Sequence, residues 1–506
     1  MEFTLLQGEM EREVSHIAYH SKDAGPGTMF ICIDGVDFDG HTYAKEAACK
    51  GSAVLLCSKP LSFTEDITVI QVENCRRSMA ELAARFYGYP ARELILIGVT
   101  GTKGKTSVSW MLRDVFLQEG ISCGLIGTIE NDTGKSKEHS SQTTPESLDL
   151  HRMMRDMADC GCKAAVIETS SQALKQFRVH GIVFDLAIVT GIGQDHIGPR
   201  EHTDLDEYIY WKSRLLHQCK RAVVNGDSAY LGVLLNGRNW EEETLFTYAL
   251  DEPADLGVKD SEFVRVPGKL GVEFQTKGRY NIKLVIGAPG RFSLYNGLAV
   301  TLASKLLNLS DAAIRKTLID VQIPGRQEIF ALDYNRLIMV DYAHNGEALE
   351  ALLSSLRAYH PNRLTCVFGC GGQRAPERRF SMGKAAAECA DFSIITADNP
   401  RKESLDSIIR DIIKGMKTNH GNYMIIRDRK QAIEYGIRNC GEGEMVVIAG
   451  KGHETTQVFF DRTIHFDDRE IVRMMIEKVR YEQDYDRRNL QGVLRTTAYR
   501  RHDGNH

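Results

Sequence analysis

Three features of this 506-residue chain point to an α/β protein of three domains. The first is an apolar run, Leu94 to Val99, that breaks into Gly101-Thr102-Lys103-Gly104-Lys105-Thr106 and then into a helical pattern, Ser107 to Gln118. The second is the alternation of short apolar runs with amphipathic stretches, which occurs in two long series and is the mark of mostly parallel sheets with helices on both faces. The third is a pair of turn signals, Gly88-Tyr89-Pro90 and Pro324-Gly325, in a chain too long for one hydrophobic core.

Taken in order, residues 1–90 read as a small N-terminal α/β domain, with strands expected at Met29–Ile33 and Ala53–Leu56. Residues 91–324 read as a central domain of the P-loop ATPase type around a mostly parallel sheet. Its strands are expected at Ile95–Val99, Ala164–Ile167, Leu186–Val189 and Arg221–Val224. Residues 325–480 carry the second series, at Leu337–Val340, Thr365–Phe368, Phe392–Thr396, Tyr423–Ile426 and Met445–Ile448. That series predicts a doubly wound, Rossmann-like domain, with ligands beyond the carboxyl ends of its strands. Residues 481–506 are polar and rich in Arg, and a disordered tail is expected.

Composition narrows the function. Apolar residues make up 42% and charged residues 26%, as in ordinary soluble proteins. The net charge of -5 offers no bulk attraction to nucleic acid, so none is expected as a partner. No window of about 18 apolar residues exists, so no membrane insertion is expected. Met1-Glu2-Phe3-Thr4 does not start a basic and then apolar leader, so no signal peptide is expected. The 12 cysteines are scattered without a C-x-x-C pair, which reads as reduced core thiols in a cytoplasmic protein.

The strand, glycine loop, Lys-Thr and helix form an arrangement that cradles nucleotide phosphates. Backbone N–H groups and the helix N-terminus face the anion, Lys105 pairs with phosphate oxygens, and the Thr106 hydroxyl is placed to ligate Mg²⁺. Val99 stands where the longer G-x-x-x-x-G-K-T pattern has Gly; the shorter G-T-x-G-K-T form is present instead. Glu168 ends the apolar run Val166-Ile167, and Asp195-His196 comes after the next expected strand. A carboxylate, a His and the loop Thr at one sheet edge would make a Mg²⁺ site for ATP.

Beyond the loop, a series of short strings occurs in a fixed order. They are Thr143–Ser147 (TTPES), Glu168–Leu174 (ETSSQAL), Asp195-His196, Val223–Asp227 (VVNGD) and Tyr295-Asn296. Then come Pro324–Glu328 (PGRQE), Val340–His344 (VDYAH), Phe368–Gly372 (FGCGG), Asp398–Arg401 (DNPR), Gly450–Glu454 (GKGHE) and Phe466–Glu470 (FDDRE). In that order they resemble the Mur ligases, and among these the members that add the third residue of the peptide. The resemblance covers roughly residues 15–476.

The resemblance implies ATP-dependent amide ligation in cytoplasmic peptidoglycan precursor synthesis. A carboxylate of UDP-MurNAc-L-Ala-D-Glu would become an acyl phosphate, and the amine of meso-diaminopimelate would displace phosphate. By the same resemblance, the nucleotide would meet Gly101, Thr102, Lys103, Gly104, Lys105, Thr106, Ser107, Asn296, Arg326 and Asp341. Metal would be held by Thr106, Glu168, His196 and a carbamylated Lys212. Lys105, Lys212, His196 and Arg326 would be catalytic, Arg326 arriving as the C-terminal domain closes. The nucleotide sugar would meet Ser21, Thr143, Thr144, Ser170, Gln176 and Arg178. The amino acid would meet Arg374, Asp398, Asn399, Arg401, Gly450 and Glu454. The Arg401 fork suits the extra carboxylate of diaminopimelate, and Glu454 suits its distal ammonium. A monomer is expected.

The pattern departs from the family at Lys103, where Asn is usual, at Gln172, where His is common, and at His20-Ser21-Lys22. It also departs at 197–202, at Gln373 and Ala375, and at Asn345-Gly346-Glu347. The departures leave two other readings open. One is the same reaction with L-lysine or another amino acid in a diverged paralogue. The other is a nucleotide-binding scaffold without ligase activity.

Overall fold

The computed structural model describes residues 2–35, 38–193, 197–198, 201–266, 268–333, 335–482 and 485. The chain forms two compact units. One holds residues 1–259, 276–282 and 295–317; the other holds 260–275, 283–294 and 318–506.

The first unit opens with a five-stranded sheet of β1 (Phe3–Gln7), β2 (His16–Ala18), β3 (Thr28–Ile31), β4 (Val54–Cys57) and β5 (Thr68–Val72) in the order β1-β5-β4-β3-β2. Only the β1–β5 pairing is antiparallel. β4 is buried on both faces, as a central parallel strand requires. Its alternate residues serve two cores: Leu55 and Cys57 pack with Phe30 and Val69, Val54 and Leu56 with Ile31 and Ile70.

The central sheet is built on β6 (Ile95–Thr100), followed in the chain by β7 (Cys123–Ile126), β8 (Glu130–Asp132), β9 (Lys137–His139), β10 (Ala164–Glu168), β11 (Phe184–Val189), β12 (Cys219–Asn225) and β13 (Leu245–Ala249). The order β13-β12-β11-β6-β10-β7-β8-β9 places β6 between β10 and β11, parallel to both. Register puts Glu168 opposite Val99 and Val189 opposite Thr100. The loops leaving β6, β10 and β11 therefore emerge at one sheet edge. The helix Lys105–Gln118 starts two residues earlier than the apolar pattern indicates, because Lys105 and Thr106 already continue from the loop into its first turn.

β14 (Leu256–Val266) leads into β15 (Lys269–Gly278), which forms an antiparallel hairpin with β16 (Lys283–Ile286), Val272 opposite Ile286. The second unit combines part of this hairpin with a six-stranded sheet of β17 (Glu328–Ala331), β18 (Leu337–Asp341), β19 (Leu364–Phe368), β20 (Phe392–Ile395), β21 (Tyr423–Ile425) and β22 (Met445–Ala449). The order is β17-β18-β22-β19-β20-β21, parallel except for β17. One face of this sheet (Met339, Cys366, Phe368, Val447) packs on helices Gly346–Arg357, Pro376–Cys389 and Leu405–Met416. The other (Ile338, Val340, Val367, Ile448) packs on Arg429–Arg438 and the helix 468–482. That is the doubly wound arrangement. A short hairpin, β23 (Thr456–Val458) with β24 (Thr463–His465), comes after β22.

The short or exposed strands β8, β9, β23 and β24 carry no apolar alternation, and the sequence does not predict them. Of the tail, residues 481, 482 and 485 are helical and the rest lie outside the described residues. Among the described residues no helix is long and apolar enough to cross a membrane.

Candidate functional site

The loop after β6 is held open by glycines. Gly101 has φ +147°, and a Cβ there would stand 2.0 Å from Thr190 Oγ1; Gly104 has φ +88°, and a Cβ would come within 2.8 Å of Asn296 Oδ1. Neither position accepts a side chain, and the second places Asn296 against the loop. The loop is tied to the chain leaving β11: Thr102 N–H donates to Gly191 O (2.7 Å), Gly193 N–H to Thr102 Oγ1 (2.9 Å), and Thr190 Oγ1 to Lys103 O (2.6 Å).

Two ammonium groups converge on one oxygen. Lys105 Nζ donates to Gly101 O at 2.7 Å, and Lys212 Nζ, almost wholly buried, donates to the same oxygen at 2.8 Å. Lys212 lies on the helix Leu205–Ser213, 4.6 Å over the Tyr208 ring, whose hydroxyl lies 3.0 Å from Thr102 Oγ1. Ammonium groups gathered on a glycine loop at a helix N-terminus suit an anion.

Glu168 is the last residue of β10 and is fully buried. Thr106 Oγ1 donates to its Oε2 (3.0 Å), as does Thr128 Oγ1 (2.9 Å), while Thr128 N–H donates to Oε1 (3.1 Å). A buried carboxylate beside the loop hydroxyl is an oxygen donor set of the kind Mg²⁺ takes. His196, expected as its third ligand, and Asp195 lie outside the described residues. As an ammonium Lys212 donates and cannot ligate a metal.

The residues expected on the nucleotide sugar, Ser21 apart, come together in a second cluster. Thr144 Oγ1 donates to Glu168 O (2.7 Å) and accepts from Ser170 N–H (3.1 Å); Thr143 Oγ1 lies 3.1 Å from Thr128 Oγ1. Arg178 donates to Thr144 O (2.7 Å) and Gln176 Oε1 (2.7 Å), and pairs with Glu146 at 3.0 Å. Arg76, from the helix Cys75–Phe86, meets the same carboxylate at 2.6 Å. Burial lowers the affinity of Arg178 for its proton while Glu146 opposes the shift. Arg178 is thus a largely covered, paired arginine rather than a surface one. Ser21 stands apart in a helical turn, Ser21–Asp23, its carbonyl accepting from Lys50 at 2.7 Å.

In the second unit, Asp341 at the end of β18 accepts from Gln327 N–H (2.8 Å) and Ala343 N–H (2.7 Å). Burial pushes its carboxyl upward against the opposing pull of Arg326 and those two N–H groups. The Arg326 guanidinium lies 4.6 Å over the Tyr342 ring, and its buried Nε has no hydrogen-bond partner among the described residues.

The residues expected on the amino acid gather past the carboxyl ends of β20 and β22. Asn399 N–H donates to Asp398 Oδ1 (2.6 Å), and a Cβ at Gly450 would lie 2.9 Å from Asp398 Oδ2. Asn399 Nδ2 donates to Glu454 Oε2 (2.9 Å). Arg401, at φ +53°, donates to Gly372 O (2.8 Å), and a Cβ at Gly371 would lie 3.8 Å from Arg374 Cγ. Glu403 is engaged by Arg379 (2.6 Å) and by Gln373 N–H, so Arg401 is not drawn into an ion pair with it.

Sequence reasoning does not single out Thr128, Glu146, Tyr208, Tyr342, Arg429, Lys451 or Asp468. Arg429 and Asp468 form a fully buried bidentate pair (2.8 and 2.7 Å) whose guanidinium also donates to Ala397 O and Ala449 O, joining the ends of β20 and β22. Glu146, Tyr342, Lys451 and Asp468 do sit inside the strings TTPES, VDYAH, GKGHE and FDDRE, and that membership is the signal that could have found them.

Three family profiles match: "Mur ligase family, catalytic domain" at residues 13–87, "Mur ligase middle domain" at 99–304, and "Mur ligase, glutamate ligase domain" at 325–452. The chain is 35% identical over 483 residues to the UDP-N-acetylmuramoyl-L-alanyl-D-glutamate–2,6-diaminopimelate ligase of Clostridium perfringens, covering 94% of this chain and 98% of the relative. It is 37% identical over 473 residues to the ligase of the same name from Geobacillus thermodenitrificans, covering 91% and 94%. A solved structure of a ligase of that name superposes with TM-score 0.66 at 27% identity, over 92% of this chain and 95% of the other. The MurF ligase of Thermotoga maritima in complex with ADP shares the fold at TM-score 0.59 and 16% identity, over 92% and 97%.

Proposed function

We propose, from the premise that this chain belongs to the Mur ligase family, that it is the ATP-dependent ligase joining meso-diaminopimelate to UDP-MurNAc-L-Ala-D-Glu in peptidoglycan precursor synthesis. The observation that carries the reading is the sheet edge where Lys105, Lys212, Thr106 and Glu168 meet, in a chain about as long as its diaminopimelate-adding relatives.

The terminal phosphoryl group of ATP passes to the glutamate carboxylate, ADP leaves, and an acyl phosphate results. The amine attacks the acyl carbon, phosphate leaves with the bond electrons, the nitrogen loses a proton and an amide remains. Every stage crowds negative oxygens together. Lys105 and the loop N–H groups take the β- and γ-phosphates, exchanging the Gly101 carbonyl for phosphate oxygen. Thr106 and Glu168 would hold Mg²⁺, with His196 beside them and a carbamylated Lys212 on a second Mg²⁺ by the family pattern. When bound, the metal neutralises charge on the transferring phosphoryl group. Asn296 lies against Gly104, where it can meet the base, and the roles of Arg326 toward phosphate and Asp341 toward ribose come from the family pattern.

Thr143, Thr144, Ser170, Gln176 and Arg178 orient the acceptor, with Glu146 balancing Arg178 and Arg76. Ser21 joins them through the family pattern alone. For the amino acid, Arg401 beside Arg374 supplies a fork for the second carboxylate, which lysine lacks. ATP, a nucleotide sugar and free thiols belong together in a reducing compartment, so the cytoplasm is the proposed location.

The test is phosphate release from ATP with UDP-MurNAc-L-Ala-D-Glu and, separately, meso-diaminopimelate, L-lysine and L-ornithine, with mass spectrometry of the product. Release that needs the acceptor and diaminopimelate is expected. A preference for lysine would retain the ligase and remove the argument from Arg401. No turnover with any of the three would favour the diverged paralogue or the scaffold.

A further inference from the structure

Resting on the reading that Asn399 and Glu454 receive the incoming amino acid, we propose that Lys451 is the positioning residue that presets both of them. Lys451 is fully buried, the costliest place for an ammonium unless every proton finds an acceptor. It has three N–H donors and finds three acceptors: Asn399 Oδ1 at 3.1 Å, Glu454 Oε2 at 3.0 Å and Thr456 O at 2.6 Å. These acceptors come from three stretches, the loop after β20, the loop after β22 and the start of β23. One buried charge therefore ties these three segments together at one end of the sheet.

Asn399 Oδ1 accepts from Lys451 and from Val458 N–H (3.0 Å), so its amide can stand only one way round, with Nδ2 toward Glu454. Lys451 and Asn399 Nδ2 both converge on Glu454 Oε2, which reserves Oε1 of this partly exposed side chain for a ligand. The cluster thus offers a carboxylate oxygen of set direction, already half-balanced by a buried cation, to an ammonium group. A buried ion pair is seldom the most stable filling for such a space; apolar side chains of similar volume often do as well or better. Its presence here fits a role in aiming ligand-facing groups.

The experiment uses the full chain and steady-state phosphate release with saturating ATP and UDP-MurNAc-L-Ala-D-Glu. Diaminopimelate is varied for wild type, Lys451→Met, Glu454→Gln and the double variant; ATP and the acceptor are then varied in turn. Lys451→Met is expected to raise the KM for diaminopimelate about ten- to hundredfold while the KM for ATP stays within about twofold. The double variant is expected to cost no more than the worse single one, because both changes break one unit. An unchanged KM for diaminopimelate in a folded Lys451→Met variant would overturn the proposal. So would a uniform loss across all three substrates with a lowered Tm, which marks a purely structural lysine. Where Lys451→Met fails to fold, Lys451→Gln takes its place, with a smaller rise in the same KM expected and an unchanged KM again overturning the proposal. Glu454→Gln reports on the underlying reading: if it leaves the KM for diaminopimelate untouched, that reading fails whatever Lys451 does.

Discussion

The glycine loop after β6 and the cluster beyond β20 and β22 place their charges differently. At the loop, Lys105 and Lys212 both donate to the carbonyl of Gly101, so two ammonium groups share one backbone dipole. In the cluster, cations pair directly with carboxylates: Lys451 with Glu454, Arg379 with Glu403 and Asp411, Arg429 with Asp468. Cations gathered on a glycine loop at a helix N-terminus suit a highly charged anion. Ion pairs that share hydrogen bonds hold their side chains in place, which suits a region that discriminates.

Four measurements probe this contrast. The largest effect is expected at the loop: Lys105→Ala should lower turnover about a thousandfold or more, read as phosphate release, because it removes the charge proposed to face phosphate. Retained activity would remove Lys105 from the chemistry. Next is the buried pair. Arg429→Met strands the Asp468 carboxylate and should cost about 3–5 kcal/mol of stability, read as a lowered denaturation midpoint. A neutral result would mean that the second region is not held by its charges. Smaller, and confined to selection, is Arg401→Leu, which should reduce the preference for diaminopimelate over lysine about tenfold while the KM for ATP holds. An undiminished preference would place the second carboxylate elsewhere.

The smallest effect belongs to an ion pair outside the loop. Glu207, near the start of the Lys212 helix, is held down at about 2, first by the Lys175 ammonium and then by Thr203 N–H, against an ordinary 4.5. A depressed carboxyl stabilises the fold fully above its unfolded value, and that contribution is lost as pH falls from about 4.5 through about 2. Glu207→Gln should therefore narrow the gap between stability at neutral and at acid pH, by less than about 1 kcal/mol for so accessible a pair. An identical pH profile in the variant would show that Glu207 contributes nothing there.

Much of the fold is legible in the sequence because its signals are local. Short runs such as Ala164–Ile167 and Leu364–Phe368 are buried on both faces, and a strand covered by helices on both sides must be apolar at every position. The glycine loop is legible for the same reason: its backbone admits no side chain at Gly101, so the requirement is written into one residue. Strand edges such as β9 and β24 are not legible, since an exposed hairpin arm needs a partner more than it needs a pattern.

The sequence by itself determined an α/β chain with a phosphate loop, the strand-end position of Glu168 and the ordered strings of the ligase family. Only the tertiary structure decided which charges meet. Lys212 lies 111 positions from the Gly101 carbonyl it touches, and Lys451 lies 52 from the Asn399 amide it orients. Contacts at such separations leave no periodic trace in a sequence, because their direction is set by the register of parallel strands and by the loops that leave one sheet edge.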